Sequence, residues 1–107
     1  MTQARKVDAN QTEIVIRLRK VGFKVFPTHR VGGGFPDLVV GGYHRLYGIP
    51  YLVLVEVKSD GGKLTEQEEE FFTTFHGMPI IVARRPSDVA EAFGWSKEEA
   101  QELNSGL

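Results

Sequence analysis

Apolar residues recur along this chain with two different periods. Between residues 10 and 21, Ile14, Val15, Leu18 and Val21 share one side of a helix, while Arg17, Arg19 and Lys20 fall on the side facing water. The preceding "NQTE", Asn10 to Glu13, has the spacing of a helix start: the Asn side chain caps, and Glu13 reaches back. Gly22 stands where a helix-ending glycine belongs. "FKVFPTHRV" then predicts a strand, which Pro27 pushes toward a sheet edge or a bulge. "GGGF" is a turn, "PDLVVGG" a second strand and "YHRLYGIP" a hairpin loop. In "YLVLVEVK", five residues of Tyr51 to Val57 are aliphatic and a sixth is aromatic, which predicts a central strand buried on both faces.

"SDGG" is a loop. Thr65 caps a helix running to about His76, with Glu68 at the capping-box position and Phe71, Phe72 and Phe75 as its core face. "PIIVARR" is a fourth strand, and "PSDVAEAFGW" a short helix starting at Pro86 or Ser87. "SKEEAQELNSGL" reads as an acidic helical tail that frays. The order α-β-β-β-α-β-α predicts an α/β fold: a mixed central sheet flanked by helices. Residues 1–107 form one domain on this reading, with a core over about 10–95 and the tail over 96–107.

Composition narrows the chemistry. The absence of cysteine excludes disulfides, thiolate zinc sites and cysteine nucleophiles. "MTQARKVDANQ" has no apolar signal segment and no run is long enough to span a bilayer, so the expected location is cytoplasmic, with no membrane contact. A net charge of −1 does not advertise nucleic-acid binding, but the charge is divided. Residues 1–60 hold nine Lys/Arg against five Asp/Glu, a balance of +4; residues 61–107 hold four against nine, a balance of −5. One half can face phosphates while the other stays acidic, although most single charges in such a chain only solvate a surface.

Glu56 and Lys58 end the most apolar strand two residues apart, so both side chains point to one face. Charges there are costly unless paired or used. Asp37 lies 19 residues upstream, directly after Pro36 at the start of the preceding strand, and one hairpin makes the two strands neighbours. Two carboxylates brought together repel, and a divalent metal reverses that cost. Mg²⁺ takes oxygen ligands, typically one or two carboxylates with waters and a substrate phosphate. Lys58 then holds or deprotonates a metal-bound water, or offsets phosphate charge.

Pro36-Asp37 and Glu56-Val57-Lys58 at strand ends, with Glu13 on the preceding helix, resemble the PD-(D/E)xK nuclease superfamily. "VGGGFPDLVV", "LVEVKSDGGKLTEQ" and the phenylalanine-bearing helix after them narrow the resemblance to a stand-alone VRR-NUC domain over roughly residues 10–95. The resemblance implies a restriction-endonuclease-like core and Mg²⁺- or Mn²⁺-dependent hydrolysis of phosphodiesters to a 5′-phosphate and a 3′-hydroxyl. It implies Asp37, Glu56 and the carbonyl of Val57 as metal ligands, Glu13 beside the metal and Lys58 as the catalytic lysine. The capping-box role remains open for Glu13. The family pattern also places a glutamine in the next helix. Here Gln67 stands one position early and Glu68 fills the expected place, so either serves, or Glu68 only caps.

Other features carry less. The three glycines from Gly32 to Gly34 lack the G-K-[ST] of a phosphate loop and suit a turn. His29, His44 and His76 lack zinc spacing. Tyr43, His44, Arg45 and Tyr47 suit DNA contact or an ordinary solvated hairpin. Arg84 and Arg85 suit phosphate contact or salt bridges to the acidic tail. With no base-reading module, DNA recognition is expected through backbone and shape. Symmetric cutting of two strands needs a two-fold homodimer. Small stand-alone nucleases of the superfamily the chain resembles include homodimeric four-way-junction resolvases, so the resemblance implies four-way junctions as substrate, ahead of flaps or splayed arms. Phe93 and Trp95 are expected at the subunit contact. Two rival readings stand beside the nuclease one: a non-catalytic nucleic-acid-binding or assembly module, and a small α/β interaction domain in which Glu56–Lys58 is a plain ion pair.

Overall fold

The computed structural model describes residues 9–105. Helix α1 spans Ala9–Lys20 and buries Ile14, Val15 and Leu18, as the period requires. Asn10 is not its cap: it sits inside the first turn and its side-chain amide donates to the carbonyl of Lys58 at 3.1 Å. Arg17, expected in water, is only 8% exposed. Its guanidinium donates to Glu13 Oε2 at 2.8 Å and to the Leu103 carbonyl at 2.9 Å, partners that make its burial tolerable. Ile16 is exposed instead, and Val21 lies beyond the helix end, also exposed. The helix stops as predicted: Gly22 takes φ +101°, and the Phe23 N–H returns to the Leu18 carbonyl.

Strands β1 (Lys24–Pro27), β2 (Leu38–Tyr43), β3 (Pro50–Val57) and β4 (Ile80–Ala83) form one sheet in the order β1-β2-β3-β4. The first two pairings are antiparallel. The last is parallel, because helix α2 (Glu66–Thr74) carries the chain back to the same end. Pro27 lies on the edge strand, where its missing N–H breaks no ladder bond; β1 ends there, well short of the predicted Val31.

One sheet face holds Val25, Leu38, Val40, Val53, Val55, Val57 and Ala83, all buried against α1 and helix α3 (Pro86–Ala92). The other face is only partly covered. Phe26 is 70% exposed and Leu52 64%, so β3 is buried on both faces only near its C-terminal end. That end carries Glu56.

The expected acidic tail is folded onto the core as far as residue 105; its last two residues, 106–107, lie outside the described residues. Helix α4 (Lys97–Gln101) and a 3-10 turn (Glu102–Asn104) fold back with Ala100 fully buried. Asn104 accepts from the Ser87 N–H at 3.0 Å and donates to the Ser87 hydroxyl at 2.9 Å. Phe93 is fully buried with its ring 4.9 Å from that of Phe23, so it is core and not a subunit contact. Trp95 is half-buried, with the Arg45 guanidinium 3.7 Å above its ring. Among the described residues, no helix is long and apolar enough to cross a membrane.

Arg17 joins the first helix to the last turn, and Arg17→Ala leaves the Leu103 carbonyl without that charged donor. Loss of about 2–3 kcal/mol is expected, read as a lower urea midpoint, with faster amide exchange at residues 100–104. Unchanged exchange there would show that the tail is held by other contacts.

Candidate functional site

The register Leu38↔Val55 sets Asp37, one residue before β2, opposite Glu56 on the partly covered face. Two bonds from Thr28 hold the turn into that position: its N–H donates to the Asp37 carbonyl at 2.7 Å and its hydroxyl to the Pro36 carbonyl at 2.8 Å. Asp37 is 7% exposed and Glu56 2%. Asp37 Oδ2 accepts from the Val57 N–H at 2.8 Å, which ties the two strands at the carboxylates themselves. Lys58 Nζ stands 3.5 Å from Glu56 Oε2 and 2.9 Å from Glu68 Oε1.

Glu68 arrives through its capping box. Its N–H donates to Thr65 Oγ1 at 3.2 Å, and its Oε1 accepts from the Thr65 N–H at 2.8 Å. The carboxylate that caps α2 is therefore the one that grips Lys58. It is the only buried side chain of α2; Phe71 and Phe72 are half-buried and Phe75 is 40% exposed, short of the core face expected of them. The glycine run seats this helix. Gly34, at φ +85°, lies against the first turn so closely that a Cβ there would stand 2.5 Å from the Gln67 carbonyl oxygen. The Phe35 ring packs edge-on to Phe71 at 5.3 Å.

Burial, then the Asp37 charge beside it, pushes the Glu56 carboxyl up to about 9, so Glu56 is neutral near pH 7 without a compensating cation. Burial alone would lower Lys58, but its hydrogen bond to Glu68 and the Glu68 charge, with a smaller part from Glu56, win, and the ammonium is held above its ordinary value. Burial likewise opposes the charge of Glu68, yet the Lys58 ammonium and the Thr65 N–H hold its carboxyl below the usual range. Lys58 and Glu68 form a locked ion pair, and Glu56 is the group left without enough positive charge. Ionised, its buried Oε1 has no donor; protonated, Glu56 hydrogen-bonds the neighbouring carboxylates Asp37 and Glu68.

The structure thus brings together Asp37, Glu56 and Lys58, and adds Glu68 in place of Gln67, whose side chain is exposed. Val57 contributes its N–H to Asp37 and buries its side chain in the core. Glu13 is 60% exposed at its side chain and pairs with Arg17; no hydrogen bond or ion pair joins it to the cluster. It stands one turn beyond Asn10, which holds the Lys58 carbonyl. In the hairpin His44 is buried, its Nδ1 accepts from the Leu46 and Tyr47 N–H groups, and its ring stacks on Tyr47 at 3.9 Å, while Tyr43 and Tyr47 stay exposed. Arg45 is paired with Glu99 at 2.7 Å, so this loop is not a free basic surface. Among the described residues, Arg84 and Arg85 bind the loop after Lys58 and not the tail.

Two adjacent buried carboxylates are a hard-oxygen donor set, of the kind that Mg²⁺, Mn²⁺ or Ca²⁺ takes. As the side chains stand, no three His, Cys, Asp or Glu among the described residues form a metal-ligating group. Glu68, the third carboxylate at hand, is taken by Lys58 and Thr65.

The displaced Glu56 makes stability depend on pH. Its folded-state value lies above its ordinary 4.5, so between 4.5 and about 9 the folded chain holds a proton that the unfolded chain releases. In chelator, stability from this group is fully present below 4.5 and falls as pH rises toward 9, by up to about 1.4 kcal/mol per pH unit. Glu56→Gln keeps the shape without that proton, and is expected to raise the metal-free Tm at pH 8 and flatten its pH slope. An equal slope in both proteins would remove Glu56 as the cause.

Comparison of the chain with protein families, with curated proteins and with solved structures gives no match.

Proposed function

We propose that the chain is a metal-dependent nuclease of the restriction-endonuclease-like type, hydrolysing DNA phosphodiesters. The observation that carries this reading is Glu56: a carboxyl group buried at a strand end against Asp37, with no donor for one of its oxygens when ionised and a cationic lysine beside it. Asp37 and Glu56 would hold Mg²⁺ or Mn²⁺, with the Val57 carbonyl and Glu13 as further expected ligands. Bound there, the ion supplies positive charge to a phosphate and lowers the pKa of a coordinated water.

The chain's own groups supply the rest. Lys58 is held cationic by Glu68 and Glu56, so it acts as a donor: it offsets charge developing on the phosphate and orients the attacking water by hydrogen bonding. Glu68 fixes the ammonium, and Asn10 fixes the lysine's backbone. Asp37 is anchored by the Val57 N–H, so its second oxygen is the one left for a ligand. The substrate in this reading is branched DNA cut by a two-fold homodimer, with four-way junctions ahead of flaps. The case for a dimer is one small site per chain against two strands to cut.

The rival is a non-catalytic nucleic-acid-binding module. It draws support from the lack of a ready three-residue metal group among the described residues. Labelled linear, flap and four-way DNA, each incubated with and without Mg²⁺ or Mn²⁺, separates the two. Cutting that appears only with metal supports the nuclease; full cutting in excess chelator overturns the metal role, and no cutting with either metal leaves the binding module. Equal cutting of linear and four-way DNA by a protein that sediments as a monomer would overturn the junction reading.

Lys58→Ala is expected to lower the cleavage rate by ~10²–10⁴-fold with little change in DNA affinity. Turnover near wild type would make Lys58 structural. Glu13→Gln keeps a hydrogen-bond acceptor for Arg17 but loses the charge. If Glu13 joins the metal, activity falls at low metal and recovers with added Mn²⁺; unchanged activity at low metal confines Glu13 to its bond with Arg17.

A further inference from the structure

Beside the carboxylate cluster lies a concavity of about 300 Å³ lined by Asn10, Ser59, Asp60, Arg84 and Arg85. Its position follows from the parallel pairing of β3 and β4. Val57 sits opposite Ala83, and the Lys58 N–H donates to the Ala83 carbonyl, so Arg84 and Arg85 leave the sheet at the end where Lys58 does. The two arginines differ in what they hold. Arg84 spends its guanidinium on the backbone, donating through Nη1 to the Ser59 carbonyl and through Nη2 to the Gly62 carbonyl at 3.0 Å. It orders the loop that follows Lys58. Arg85 reaches the tip of that loop, donating to Asp60 Oδ1 at 3.0 Å and Oδ2 at 3.1 Å. Asp88 Oδ2 caps the N–H groups of both arginines, which fixes their backbone.

The Arg85–Asp60 pair is open to water, with side chains 50% and 74% exposed. Such pairs contribute little to stability, so nothing in the fold demands this one. A guanidinium fork binds a phosphate through the geometry it uses here for a carboxylate. We propose that Arg85 is a second phosphate-binding position, taking a backbone phosphate of DNA next to the one at the carboxylate cluster, and that Asp60 occupies it until nucleic acid displaces it. The proposal rests on the nuclease reading for its ligand. Its geometry is that of a concave site with one fixed arginine in the wall, one exchangeable arginine at the rim and an internal anion in place of the external one. Asp60 then acts as a competitor, so DNA must outbid a tethered carboxylate, and adventitious anions are kept off the site.

Fluorescence anisotropy with labelled duplex DNA in chelator reads binding without cleavage. Arg85→Ala is expected to weaken binding about three- to tenfold at low salt and to reduce the slope of log K against log salt by about 1. Asp60→Asn is expected to tighten binding several-fold. Lys97→Ala removes the same charge from an exposed residue of α4, with its side chain 81% exposed, and is expected to change neither quantity. An Arg85→Ala protein that binds like wild type, a Lys97→Ala loss equal to that of Arg85→Ala, or no binding by the wild type would each overturn the proposal. Absence of cleavage with Mg²⁺ or Mn²⁺, alongside the expected binding changes, would defeat the nuclease reading and leave Arg85 as a nucleic-acid contact.

Discussion

Glu56 is buried beside Asp37 with less positive charge around it than two carboxylates need, and much of the surrounding architecture is arranged about that imbalance. The strand that carries it lies inside the sheet, so it cannot swing out to water. Asp37 is pinned to the backbone one residue further on. Lys58 supplies one cation but is claimed more closely by Glu68, at 2.9 Å against 3.5 Å for Glu56. The result is a pair of carboxyl groups that is satisfied by keeping a proton.

The parts of the fold that depend on local chemistry were legible in the sequence. Thr65 and Glu68 at capping-box spacing, Gly22 after α1, Pro27 on an edge strand and the aliphatic run of β3 each carry their own physical reason, and each is found in place. The juxtaposition of Asp37 with Glu56 was also legible, because one hairpin leaves few ways to pair two strands. What period alone could not tell was which neighbours would claim a side chain. Arg17 sits on the polar side of α1 by spacing, yet the returning tail covers that side and supplies the Leu103 carbonyl. Asn10 has the right type for a cap, but Lys58 offers it a long-range acceptor. Gln67 and Glu68 are adjacent, and the capping box with Thr65, on a helix seated against Gly34, turns Glu68 toward the lysine.

The same limit explains the surface. Phe71, Phe72 and Phe75 have core spacing, but α2 lies over the end of the sheet that holds charged groups, so its central position belongs to Glu68 and the rings settle at the rim beside Phe35. Leu52 looks like core by sequence and stands open, because the helices that form the interior, α1 and α3, pack on the other face. Hydrophobic pattern specifies that a residue suits burial; topology decides whether a cover exists.

The bond from Arg17 to the Leu103 carbonyl spans 86 residues of chain. During synthesis the N-terminal helix emerges long before its last partner, and at ribosomal rates of ~5–20 residues per second the interval is several seconds. Through that interval the charged partner the guanidinium has on its own helix, among the described residues, is Glu13. The nascent chain can pair its hairpin early, but α1 gains its full set of contacts only when the final turn arrives. Completion of the fold is thereby coupled to completion of the polypeptide through position 103.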